Sequence, residues 1–87
     1  MSRLEPGRKP LNVLARNIGS TVWITLKNRV EYWGKMIQCD GYMNLLLENA
    51  REFKNGMPVA NYGTIFIRGN NILYIQLDAE KRRMVKT

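Results

Sequence analysis

At Ser20 the hydrophobic period of this chain changes, and a fold that ignores the change cannot bury both halves. Ahead of it Leu11, Leu14 and Ile18 recur at i, i+3 and i+7, with Val13 beside them, the spacing of one helical face. Behind it Val22, Ile24 and Leu26 alternate with Thr21, Trp23, Thr25 and Lys27, the pattern of a strand with one buried face. Pro10 can open the helix and Gly19 can close it. Isolated helices shorter than about 12 residues are marginal in water, so this one must pack on the sheet that follows.

The rest of the chain stays with short strands. Asn28-Arg29 is a tight turn, and the next strand, 30–39, carries Gly34 in its middle, where a missing side chain allows a sharp bend or a bulge. Leu45-Leu46-Leu47 is apolar on both parities, which predicts a strand covered on both sides. Residues 48–60 are polar and hold Asn55-Gly56 and Pro58, a loop or hairpin tip. Residues 61–67 return to strand composition, with Ile65 and Ile67 on one face and Thr64 and Phe66 on the other. Residues 72–77 follow, with Leu73, Ile75 and Leu77 in alternation. The expected fold is mainly β: a short N-terminal helix, then a strongly bent five-stranded antiparallel sheet approaching a small barrel. The domain spans 10–78, between a flexible basic N-terminal arm, 1–9, and a basic C-terminal tail, 79–87. An edge as apolar as Tyr62 to Ile67 is a liability if left open. Pairing it head to tail with another copy covers it, and if the rotation closes the product is a ring.

Composition narrows the function. With 87 residues the chain forms one domain and a thin core. It has no histidine, which removes the commonest general base and metal ligand, and its single Cys39 reads as a small buried apolar residue. No metal or cofactor is expected, and a lone carboxylate at Asp40 is poor support for catalysis, so the chain reads as not an enzyme. No apolar run approaches the ~20 residues that span a bilayer, and the expected setting is cytoplasmic with no membrane partner. The excess of 14 Lys and Arg over 7 Asp and Glu, a formal charge of +7, points to a polyanion, with plain solubility as the alternative.

Two polar interruptions remain: Asp40-Gly41-Tyr42-Met43-Asn44 and Arg68-Gly69-Asn70-Asn71. Alone, each is an ordinary turn, the second with Gly69 supplying φ > 0. Together they bring an aromatic, an amide and a guanidinium, the groups that stack on and read the exposed bases of single-stranded RNA. Their order also resembles the Sm and Sm-like (Lsm) RNA-binding proteins. The opening Pro10-Leu11-Asn12-Val13-Leu14 looks like the start of that family. Gly34 with Asp40 to Leu45 is similar to its first motif, and Ile67 to Ile72 is similar to its second.

The resemblance covers roughly residues 10 to 78. It implies rings of usually seven subunits closed by strand pairing, with both motif loops lining a pore that binds uridine-rich single-stranded RNA. On this sequence Tyr42 and Arg68 would sandwich a base and Asn44 would read its edge. Asp40, by accepting from the Asn44 amide nitrogen, would fix which way round that amide faces. Gly69 would permit the turn and a close backbone approach. Tyr42 stands where many archaeal relatives have His, and Asn70 where the family often has Asp. The expectation is an archaeal homo-oligomer, probed against a structural or protein-interaction scaffold and against a different small barrel. Trp23 and Trp33 read as packing or interface anchors. Arg3, Arg8, Lys9, Lys81, Arg82, Arg83 and Lys86 are candidates for non-specific phosphate contact.

Overall fold

The computed structural model describes the backbone of residues 3–4 and the whole of 11–77. In chain order it contains β1 (Arg3–Leu4), α1 (Leu11–Arg16), β2 (Thr21–Leu26), β3 (Glu31–Cys39), β4 (Leu45–Lys54), β5 (Met57–Ile67) and β6 (Ile72–Gln76). The strands form one antiparallel sheet in the order β1-β6-β2-β3-β4-β5. The five strands after the helix are those the sequence implies. β1 is an addition: Arg3 and Leu4 pair with Gln76 and Ile75, so at these two residues the N-terminal segment is a strand and not a free arm. The remainder of 1–10, including Pro10, and the basic tail lie outside the described residues.

α1 is one and a half turns long, and it docks by Leu14, fully buried, with Leu11 partly buried against the same core. Ile18 stays 43% exposed because the helix ends at Arg16, so the i+7 position leaves the helical face. The exit is fastened to the sheet by the Gly19 N–H donating to the Met36 carbonyl at 2.7 Å and the Met36 N–H donating to Ser20 at 2.9 Å.

The sheet bends at bulges, each adding an unpaired residue that turns the strand. Opposite Gly34 on β3 stand two residues of β4, Asn49 and Ala50, with Asn49 in the left-handed region at φ 54°. A Cβ at Gly34 would lie 3.1 Å from the Glu48 carbonyl oxygen and 3.2 Å from the Ala50 Cα, so the bend depends on close approach there. Ile37 is a second extra residue, between the Met36 and Gln38 pairs.

Curling changes what a strand buries. β2 was expected to have one buried face, yet Val22, Trp23, Ile24 and Thr25 are all buried. Val22 and Ile24 join Met36, Leu45, Leu47 and Ile75 in the main core. Trp23 instead stacks on Phe53 at 5.0 Å between ring centroids, in a second cluster with Trp33. The strand is covered from both sides because the sheet carries a cluster on each.

The stretch 48–60 is not a loop. β4 runs to Lys54 and β5 starts at Met57, joined by Asn55-Gly56 with φ of 53° and 79°, the pair of left-handed residues that a two-residue hairpin turn requires. The bulge at Asn49 hides the strand from its sequence, because the buried residues step from Leu45 and Leu47 to Ala50 and alternation breaks. Pro58 is tolerated on β5 because that strand is an edge, and the register shifts beside it. On β6 the buried residues are Ile72 and Ile75, with Leu77 just beyond, while Leu73 is only half-buried, since the pairing with β2 shifts between Thr25 and Leu26. Among the described residues no helix is long and apolar enough to cross a membrane.

Candidate nucleic-acid interface

The loop between β3 and β4 is built around one carboxylate. Asp40 Oδ1 accepts from the Tyr42 N–H at 2.8 Å and the Asn44 N–H at 3.0 Å, while Oδ2 accepts from Asn44 Nδ2 at 3.1 Å. Two backbone bonds close the same loop, Asp40 N–H to Asn44 O at 3.1 Å and Met43 N–H to Asp40 O at 3.0 Å. These donors, those of Asn44 foremost, hold the Asp40 carboxyl below its ordinary pKa, because they favour the charged form.

Met43 ties this loop to the core. It adopts φ 67°, a region that costs a non-glycine residue roughly 1–2 kcal/mol. Its side chain is only 4% exposed, and fully burying a Met stabilises by about 1.5–3 kcal/mol, enough to offset the strain. The outward result is Tyr42, which is 84% exposed.

The second loop meets the first through Gly69. Arg68 is extended, at φ −77° and ψ 134°, and Gly69–Asn71 form a single 3-10 turn. Gly69 does not have positive φ, contrary to the turn expected from sequence. It is needed for room: a Cβ there would overlap the Tyr42 carbonyl oxygen and stand 2.8 Å from the Met43 carbonyl group. That approach lets the Gly69 N–H donate to Asn44 Oδ1 at 2.8 Å.

Asn44 is therefore held at both ends. A carboxylate only accepts and a backbone N–H only donates, so reversing the amide would break both bonds. The sequence reading gave this orientation to Asp40 alone, and the Gly69 N–H is the part it missed. One N–H and one lone pair remain on the amide, in a fixed order, suited to a ligand edge with a donor beside an acceptor.

Tyr42, Asn44, Arg68 and Asn70 line one open cavity of about 330 Å³, together with Phe66. Asp40 and Gly69 do not line it; they shape it from behind through Asn44. Phe66 was not singled out as a site residue. It is 60% exposed on an edge strand, and its position two residues before Arg68 is the only sequence signal that could have found it. Among the described residues no group of His, Cys, Asp or Glu could hold a metal ion.

The sequence profile of the LSM domain matches residues 12–77. The U6 snRNA-associated Sm-like protein LSm6 of Debaryomyces hansenii is 50% identical over 66 residues, 76% of this chain and 78% of that protein. Its namesake in Neurospora crassa is 43% identical over 72 residues, covering 83% and 88%. Among solved structures, the Sm protein of Pyrococcus abyssii in complex with a uridine heptamer superposes with a TM-score of 0.76 at 37% identity, covering 78% of this chain and 96% of that one. A heptameric archaeal Sm protein gives 0.70 at 35%, covering 76% and 96%. The expectation of an archaeal protein is not supported, since these fungal relatives exceed the archaeal structures in identity.

Proposed function

The chain belongs to the LSM-domain family, whose members are RNA-binding and not enzymes, and from that premise we propose that it takes uridine-rich single-stranded RNA at the Asn44 cavity as one subunit of a ring. The observation that carries this reading is the double constraint on the Asn44 amide. Uracil presents an N3 donor beside an O4 acceptor, which the free lone pair and free N–H of a fixed amide can match, while cytosine presents the reverse. Tyr42 and Arg68 bracket the base with a ring and a guanidinium plane, the usual platforms for unstacked bases. The uridine-bound Pyrococcus structure has the same fold, which favours this ligand class.

The ring reading rests on β5, an edge strand among the described residues, which leaves Met57, Val59, Tyr62 and Phe66 exposed along it. A neighbouring subunit's strand would cover that edge, and the heptameric state of an archaeal Sm protein with the same fold supports the ring reading. The homo-oligomer expected from sequence is withdrawn in favour of a mixed ring with Sm-like siblings, because the relatives are named as a numbered Sm-like protein associated with U6 snRNA. A uridine-rich segment of a small nuclear RNA, handled during RNA processing or ribonucleoprotein assembly, is the ligand that best fits.

The test is titration of the assembled protein with oligouridylate and oligocytidylate, for the parent and Arg68→Ala. Stacking contributes ~1–3 kcal/mol per base, so the variant should bind oligouridylate about 5- to 150-fold more weakly with its assembly state unchanged. Loss of the assembly in Arg68→Ala would favour a scaffold role. Equal binding of the two oligomers by the parent would end the uridine reading.

A further inference from the structure

The two ends of the sheet are not alike. At one end lies β5, eleven residues long with no strand beyond it among the described residues. At the other end β6 would be the edge, but β1 lies along it, Arg3 opposite Gln76 and Leu4 opposite Ile75, so β6 is paired on both sides. A head-to-tail ring needs two different surfaces from each subunit. If β5 supplies one, the other is the outer edge of β6, which the chain covers with its own N-terminal segment.

We propose that β1 is a removable cap: it holds the acceptor edge of the chain closed against a second copy and gives way to the β5-type strand of a ring neighbour. This rests on the ring reading above. β1 and an incoming strand claim the same outward N–H and C=O groups of β6, in the plane of the sheet, so the two cannot pair there at once. What they offer differs in length. β1 engages two of the five residues of β6, whereas a strand of eleven can run the whole length of β6 and add cross-strand side-chain pairs. The cap has the tether on its side: only residues 5–10 separate it from α1, and a short link keeps its local concentration on the order of mM. A neighbour displaces it by making more pairs.

The result is a one-sided subunit. Its β5 edge can dock from the start, while its β6 edge accepts a partner only as β1 leaves. Two copies must uncap one edge for every contact they make. A sibling with an open acceptor edge takes β5 with no uncapping, so the first contact favours a sibling over a copy. β6 is the only strand that β1 pairs with, so the cap can leave with the order β6-β2-β3-β4-β5 intact.

The test compares the full-length chain with its cap locked and with its cap broken. Directly opposed residues of antiparallel strands have Cα atoms about 4.5–5.5 Å apart, within disulfide reach. Arg3→Cys/Gln76→Cys in a Cys39→Ser background therefore fastens β1 when oxidised and frees it when reduced. Arg3→Pro/Leu4→Pro removes both N–H groups of β1 and leaves 11–77 unchanged in sequence. Oligomers are counted by native mass spectrometry over a concentration series. A closed state weakens association by the fraction that is open, so a cap closed about nine-tenths of the time predicts self-assembly of the proline variant at ~10-fold lower concentration than the parent. The oxidised lock should stay monomeric, and its reduction should restore the parent's behaviour. An oxidised lock that assembles at the parent's concentration, or a proline variant that needs as much protein as the parent, overturns the cap and leaves the ring standing. A chain that stays monomeric with its cap broken fails differently: its open edges do not pair, and the ring reading falls with the proposal.

Discussion

The two loops that frame the Asn44 cavity are held in place by opposite means. Asp40 to Asn44 is held by hydrogen bonds, five of them converging on or closing around a single aspartate. Arg68 to Asn71 is held by fit: one short 3-10 turn, with Gly69 pressed against the carbonyls of Tyr42 and Met43. A loop made of bonds can lose one and keep its shape, because exposed partners return to water at small net cost. A loop made of contact has no such reserve, since backbone cannot retreat as a side chain can. The two halves of one site should thus differ in how they fail.

The sharpest way to expose that difference is Gly69→Ala. The added methyl meets backbone, so relief requires the loops to part, with a stability loss of ~3 kcal/mol, toward the upper end of overpacking costs, and loss of the Asn44 to Gly69 bond. Denaturant unfolding beside an oligouridylate titration reads both effects, and a parent-like midpoint would show that the contact is soft. Asp40→Ala should do something narrower. The fold stays, the amide of Asn44 loses one of its two guides, and the preference for oligouridylate over oligocytidylate shrinks while oligocytidylate affinity holds. An unchanged preference would leave the Gly69 N–H as sufficient guide.

The smallest effect is in pH. The Asp40 carboxyl is lowered by its donors, so its contribution is fully present above the ordinary aspartate pKa of about 3.9 and is lost only as pH falls through the lower folded value. Uridine preference should therefore be flat from neutrality down to that range and fade beneath it in the parent. Asp40→Ala should show no such fade, and a parent whose preference titrates near neutrality would contradict the assignment.

How much of this was legible in the sequence depended on whether a residue acts by type or by place. Asp40, Tyr42, Asn44 and Arg68 announce themselves through chemistry, and the structure puts three of them on one cavity and the fourth behind it. Gly69 is expected to supply both φ > 0 and a close backbone approach; only the approach holds, and it is made to a carbonyl 27 residues earlier in the chain. Met43 acts through burial and a left-handed backbone that no pattern predicts for methionine. Of the two readings of 48–60, loop or hairpin tip, the hairpin holds with Asn55-Gly56 as its turn, while the length of its strands was hidden because a single bulge reversed the parity of β4. Leu73 was misplaced for the same reason on β6.

The bond from the Gly69 N–H to Asn44 Oδ1 also gives the site a clock. An amide proton held in this way exchanges with solvent only when the two loops separate, so its lifetime reports the opening of the cavity itself. The Tyr42 and Asn44 amide protons, both directed at Asp40, report instead on loosening within the first loop. If the first of these exchanges far more slowly than the other two, the loops part rarely while one of them breathes often. A base would then enter a frame that is already assembled, with only its stacking partners left to adjust.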